Sequence, residues 1–183
     1  MTILHLDASI NGENSASRTI SRSIVDQLKA ADPSASVIYR DLAANPLPHL
    51  TLDALGDTSV LDEFFAADAI VVGAPMYNFT LPTQLTAWID RLMVAGKTFQ
   101  YGPNGPEGLA QGRRVIFALA RGGFYGEGSP AAALEHLETY LRGVFNFMGI
   151  EPEFVAADGL AIGPEQRDSA IRQALGETVR LAA

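Results

Sequence analysis

Three stretches of the chain combine groups that could hold a ligand. The first, Ala8-Ser9-Ile10-Asn11-Gly12-Glu13-Asn14-Ser15-Ala16-Ser17-Arg18, is dense in hydroxyls and leads into a helical pattern. Free N–H groups at a helix N-terminus, with the helix dipole behind them, favour an anion such as phosphate. An ordinary polar loop with a serine cap has the same composition, and the spacing matches neither a Walker loop nor a Gly-x-Gly-x-x-Gly turn. The second stretch, Gly73-Ala74-Pro75-Met76-Tyr77-Asn78-Phe79-Thr80-Leu81-Pro82, sets an aromatic run beside the amide of Asn78. It suits a flat apolar ligand, and equally a plug over the core. In the third, Ala120-Arg121-Gly122-Gly123-Phe124-Tyr125-Gly126-Glu127-Gly128, adjacent glycines let a ligand approach the backbone closely. Loop mobility, with Arg121 in a surface ion pair, is the alternative there.

Other chemistries lack their residues. With no cysteine, the chain has no disulfide, thiolate nucleophile, iron–sulfur cluster or zinc ribbon. His5, His49 and His136 fall on a strand pattern, a Pro-bounded loop and a helix pattern without metal-ligand spacing, so they read as structural and no metal is expected. Gly-x-Ser-x-Gly is absent, which removes support for a hydrolase elbow. What remains is a cradle with no evident acid, base or nucleophile, and that suits chemistry carried by a bound cofactor.

The elements that must position these loops are short and regular. At 183 residues the chain is the length of one domain, 1–183, and 48% hydrophobic composition is that of a globular protein. A net charge of −8 repels phosphate polymers and anionic bilayers, so nucleic acid and membrane are not expected partners. The N-terminus has no basic start before an apolar core, and no apolar run approaches the roughly 18 residues of a spanning helix, which makes the cytoplasm the expected location.

Apolar, Val- and Ile-rich runs predict strands over Ile3–Leu6, Ser36–Arg40, Ala69–Ala74, Arg114–Ala120 and Glu153–Ala156. Between them, helical spacing appears after Ser17, with Ser15 or Ser17 as N-cap, and around Val60–Ala66. It recurs from Pro82 to Gly96, where Leu85, Trp88, Ile89, Leu92 and Met93 form one wide stripe. Pro130–Phe147 and Pro164–Leu181 complete the set, the last through Ile171, Ala174, Leu175 and Val179. This alternation predicts an α/β doubly wound parallel sheet of five strands in the order 2-1-3-4-5, with helices on both faces. Ligands then bind beyond the strand C-termini at the switch point between strands one and three, where the three loops converge. Asn45-Pro46-Leu47-Pro48-His49 and the long Lys97–Gly112 excursion, with its four glycines and two prolines, fit no element. Loops that long in a compact domain commonly cover a site or meet a partner.

Together the stretches APMYNFTLPTQLTAWID, TFQYGPNGPEGL and ARGGFYGEG resemble the FMN-dependent NADH:quinone oxidoreductase/azoreductase family of the flavodoxin-like fold, over nearly the whole chain. The resemblance implies non-covalent FMN: Ser9 and Ser15-Ala16-Ser17 at its phosphate, Met76-Tyr77-Asn78-Phe79 along the isoalloxazine ring, and Ala120-Arg121-Gly122-Gly123 near the ring's pyrimidine edge. It also implies a homodimer with the site at the interface, where Tyr101 and Phe147 wall the neighbour's substrate space beside Phe124 and Tyr125. NADH or NADPH would reduce the flavin in a ping-pong cycle, and quinones or azo compounds would reoxidise it. A flavodoxin-like electron carrier without such turnover is the rival, and the long excursion and aromatic lining favour the enzyme. Where many members carry Ser or Thr, this chain has Ala120, and Ala16 replaces a polar residue. Ala120 removes one side-chain hydrogen bond of about 1 kcal/mol, which a backbone amide can replace, and at Ala16 the loop's backbone amides with Ser15 and Ser17 suffice for the phosphate.

Overall fold

A computed structural model describes residues 1–182, and Ala183 lies outside the described residues. Parallel strands β1 (Thr2–Asp7), β2 (Ser36–Asp41), β3 (Ala69–Pro75), β6 (Arg114–Ala120) and β7 (Glu153–Ala157) form one sheet in the order β2-β1-β3-β6-β7. The five expected strands are all present. Their numbering changes because the Lys97–Gly112 excursion carries two strands of its own, β4 (Phe99–Gly102) and β5 (Gly105–Gly108), paired as an antiparallel hairpin. Gly102, Pro103, Gly105, Pro106 and Gly108 leave no apolar pattern to reveal that pairing.

Side-chain alternation sends the two faces of the sheet into two cores. Leu4, Leu6, Ile70, Val72, Val115, Phe117 and Leu119 face a layer that includes Phe64, Leu85, Trp88, Leu141 and Phe145. Ile3, Val71, Ile116 and Val155 face α1 (Ala16–Ala31) and α5 (Pro164–Thr178). β3 is buried at every position, whereas β2, at the sheet edge, leaves Ser36 to Tyr39 exposed.

Three helices differ from expectation. α3 runs only from Thr83 to Ile89, because the chain then tightens: Arg91 N–H donates to the Trp88 carbonyl and Leu92 N–H to that of Ile89. The buried Thr98 hydroxyl donates to the Leu92 carbonyl at 2.6 Å and stabilises that early exit. Over 130–147 a short 3₁₀ turn, Ala132–Leu134, precedes α4 (Glu138–Phe147), with Leu134 exposed. The break occurs where Glu135 turns its carboxylate onto the N–H groups of Leu137, Glu138 and Thr139, which makes a new helix start. On α5 the fully buried line is Ala170, Ala174 and Thr178, small residues that bring the helix close, while Val179 stays exposed. α2 (Ser59–Ala66) lies where expected.

Candidate functional site

The loops after β1, β3 and β6 meet at the C-terminal edge of the sheet, around a cavity of about 230 Å³. Ser9, Ser15 and Ala16 line it from the first loop, Met76 and Tyr77 from the second, and Ala120 and Gly122 from the third. Leu160, Ala161 and Arg167, beyond β7, close the fourth side.

A buried polar network fixes the first loop. Ser15 is the N-cap of α1: its hydroxyl accepts from Arg18 N–H at 3.3 Å and lies 3.1 Å from the Ser17 hydroxyl. The first-turn N–H groups of Ala16 and Ser17 have no intramolecular acceptor among the described residues, as helix starts leave them. Arg18 folds back, donating to the Ser9 carbonyl at 2.8 Å and to both oxygens of Asp41 at 2.7 and 2.9 Å. That guanidinium, helped by N–H groups of Ala43 and Ala44, holds the Asp41 carboxyl below its usual range. Beneath it, buried Asp7 accepts from the Ser21 hydroxyl at 2.9 Å and the Tyr39 hydroxyl at 3.2 Å. Burial and the Asp7 charge push Tyr39 up to about 12. Burial also lowers His5, 3.0 Å from the Ser21 hydroxyl, although neighbouring Asp7 opposes the shift. Gly73 on β3 sits opposite Asp7, and any Cβ there would stand 2.2 Å from Asp7 Oδ1.

The second loop is a tight turn. Tyr77 and Thr80 exchange backbone hydrogen bonds of 2.9 and 3.1 Å, with Asn78 at φ 49° and Phe79 at φ 71° between them. Two consecutive non-glycine residues in the left-handed region cost on the order of 1–3 kcal/mol each, and such strain concentrates at ligand sites. The Phe79 carbonyl accepts from His136 N–H at 3.0 Å, and the Thr80 hydroxyl donates to the His136 carbonyl at 3.3 Å. Meanwhile the Tyr77 hydroxyl accepts from Ile10 N–H at 3.2 Å, 3.3 Å from the Ser9 hydroxyl, so the apolar loop is stitched to the polar one.

The third loop lends its carbonyls to the chain after β7. Those of Arg121, Gly122 and Gly123 accept from Leu160, Ala161 and Gly159, while the N–H groups of Gly122 and Gly123 have no acceptor among the described residues. The Arg121 side chain points away from the cavity. It is buried, bound to both oxygens of Asp158 at 2.6 and 3.1 Å, and lies 3.4 Å from Glu138 and 3.7 Å from Glu135. Arg121 thus braces the loop against α4 and the chain after β7, and what this stretch offers a ligand is backbone.

Of the aromatic residues expected near the substrate, Tyr125 packs edge-on against Phe79 with ring centres 6.1 Å apart, and Phe124 is half exposed. Tyr101 and Phe147 gather elsewhere, on either side of Phe99 at 5.7 and 4.8 Å. Neither lines the 230 Å³ cavity of its own chain. The site residues expected from the sequence omit Asn11, Pro75, Leu160, Ala161 and Arg167 of that lining. Only the position of the chain after β7 at the same sheet edge could have pointed to the last three.

The family model described as flavodoxin-like fold matches residues 1–181. An FMN-dependent NADH:quinone oxidoreductase 2 of Bradyrhizobium diazoefficiens is 52% identical over the whole of both chains. A Methylorubrum extorquens relative named FMN-dependent NADH:quinone oxidoreductase is 53% identical, also over 100% of each. Among solved structures, an azoreductase from Bacillus anthracis str. Sterne superposes with a TM-score of 0.90 at 30% identity, covering 100% of this chain and 98% of that one.

Proposed function

The chain belongs to the flavodoxin-like family of FMN-dependent NADH:quinone oxidoreductases, and from that premise we propose that it binds FMN non-covalently and catalyses two-electron reduction of quinones and of aromatic azo compounds by NADH. One observation carries the reading. A single cavity joins an anion-type helix start, Ser15 and Ala16 with Ser9, to an apolar turn of Met76 and Tyr77 and to Gly122, whose backbone N–H, like that of neighbouring Gly123, has no acceptor among the described residues. Those three surfaces correspond to the phosphate, the tricyclic ring and the ring's polar edge of a flavin mononucleotide. The residues therefore fit the group.

FMN, when bound, supplies the hydride acceptor and donor chemistry. The chain supplies the rest. Ser9, Ser15, Ser17 and the free N–H groups of α1 would hold the phosphate, and the strained Asn78-Phe79 turn fixes Met76 and Tyr77 where they would line the ring. The backbone N–H groups of Gly122 and Gly123 would donate to the polar edge of a bound flavin. Ala120 offers no hydroxyl there, so those backbone donors carry the contact. Donor and acceptor share one crevice, which makes the kinetics ping-pong.

A homodimer completes the site in this reading. Tyr101 is 76% exposed on the hairpin beside Phe99 and Phe147, an aromatic surface that its own cavity does not use. Placed over a second copy's crevice it would wall the substrate space together with that copy's Phe124 and Tyr125. Among the described residues no helix is long and apolar enough to cross a membrane, and we place the enzyme in the cytoplasm.

The test is an absorbance spectrum of protein loaded with FMN and desalted, followed anaerobically by NADH and then benzoquinone. Retained flavin should bleach with NADH and recover with the quinone. Flavin that no nicotinamide nucleotide bleaches would reduce the protein to an electron carrier, and absence of retained flavin would overturn the proposal.

A further inference from the structure

The polar end of the cavity needs to hold a dianion in a chain of net charge −8. The first loop's own cation cannot serve, because Arg18 is committed to Asp41 and to the Ser9 carbonyl. Arg167 is differently placed. It stands in the first turn of α5, where its N–H donates to the Gly163 carbonyl, and its side chain reaches across to the β1–α1 loop. There Nη2 donates to the Asn14 carbonyl at 2.7 Å, immediately before Ser15. No carboxylate lies within ion-pair distance of it among the described residues, and it is the one basic residue lining the cavity that also holds Ser9, Ser15 and Ala16. Its position is electrostatically poor for α5, since a cation at a helix N-terminus opposes the dipole. An anion on the other side of the guanidinium would offset that cost.

We propose that Arg167 is the cation that pairs with the phosphate of bound FMN, using the Asn14 carbonyl to hold its guanidinium over the head of α1; this rests on the FMN reading above. The four residues Ser9, Ser15, Ala16 and Arg167 then form a phosphate site from both ends of the chain. Arg167 becomes a determinant of FMN over flavins that lack the phosphate. Binding of FMN ties α5 to the β1–α1 loop, while the ring contacts remain independent of it.

Flavin-free, full-length protein titrated with FMN and, separately, with riboflavin by fluorescence quenching tests this, using the unaltered chain, R167Q and R167K. The unaltered chain should prefer FMN. R167Q should weaken FMN about tenfold, the size expected of a lost charge-assisted hydrogen bond, and leave riboflavin unchanged. R167K should keep most of the preference, and added salt should weaken FMN less in R167Q than in the unaltered chain. Equal weakening of both flavins by R167Q would make Arg167 a brace for the Asn14 loop and overturn the proposal, as would unchanged FMN binding. Failure of the unaltered chain to bind either flavin would instead remove the FMN reading and this proposal with it.

Discussion

The β1–α1 loop and the β4–β5 hairpin are both irregular in sequence, yet they are built in opposite ways. The loop rests on a polar network of buried Asp7 and Ser21 and half-buried Arg18 and Asp41, whose partners all lie within the same chain. The hairpin has few such anchors. It is held where Gly108 meets the turn after α4 so closely that a Cβ would stand 2.1 Å from Gly149 N, and it presents Tyr101 and Leu109 to solvent. The loop is finished by its own chain, whereas the hairpin carries apolar surface with no use inside it. On the proposed homodimer, that difference makes flavin binding a property of one chain and substrate enclosure a property of two.

The largest effect should come from Gly73→Ala. A methyl group driven against Asp7 Oδ1 also meets the Ser21 hydroxyl at 3.2 Å and the Ser17 carbonyl at 3.3 Å, so the network under the loop must give. Overpacking of this kind costs about 3 kcal/mol, and urea unfolding should show it together with loss of retained flavin. A stability change under 1 kcal/mol would mean that the network is slack and the contrast with the hairpin false.

Gly108→Ala should separate the two regions. Its added carbon meets backbone of Met148 and Gly149, which lifts the hairpin and leaves the sheet untouched. The expected loss is about 1–2 kcal/mol of stability with flavin still bound. Sedimentation should show the proposed dimer lost. A variant that stays dimeric would show that the hairpin is not the contact surface.

The smallest effect is in the pH dependence. Burial lowers His5, so the folded chain resists a proton that the unfolded chain accepts below about 6.5. Around the ring, Asp7 and Asp26 pull the other way while Arg18 and Arg22 reinforce the shift. Below pH 6.5 the unfolded state therefore binds more protons, and stability should fall as pH drops toward 5. His5→Gln should flatten that slope, as measured by urea unfolding at pH 5 and 7, without affecting the hairpin. An unchanged slope would place the acid sensitivity in other groups.

How legible these two regions were in the sequence follows from their physics. Strands such as Ala69–Pro75 stand out because both faces are buried and nearly every residue is apolar. The hydroxyl-rich loop stood out by composition, and Ser15 was one of two capping candidates. The hairpin did not, because Gly102, Gly105 and Gly108 give no alternation, and its pairing is set by backbone. Contacts distant in sequence were invisible as well. Arg121 reads as a ligand contact until Asp158 and Glu138 are seen beside it, and Arg167 reaches Asn14 across 153 positions.

The most direct test of the division between one chain and two is to dilute the FMN-loaded protein through the range where the proposed dimer would dissociate. Bound flavin by fluorescence, oligomeric state by sedimentation and NADH-dependent benzoquinone turnover would be followed together. The expected result is constant flavin per chain while turnover per flavin falls in step with the dimer. Turnover per flavin that stays constant in the monomer would contradict it, because one chain would then enclose its substrate alone.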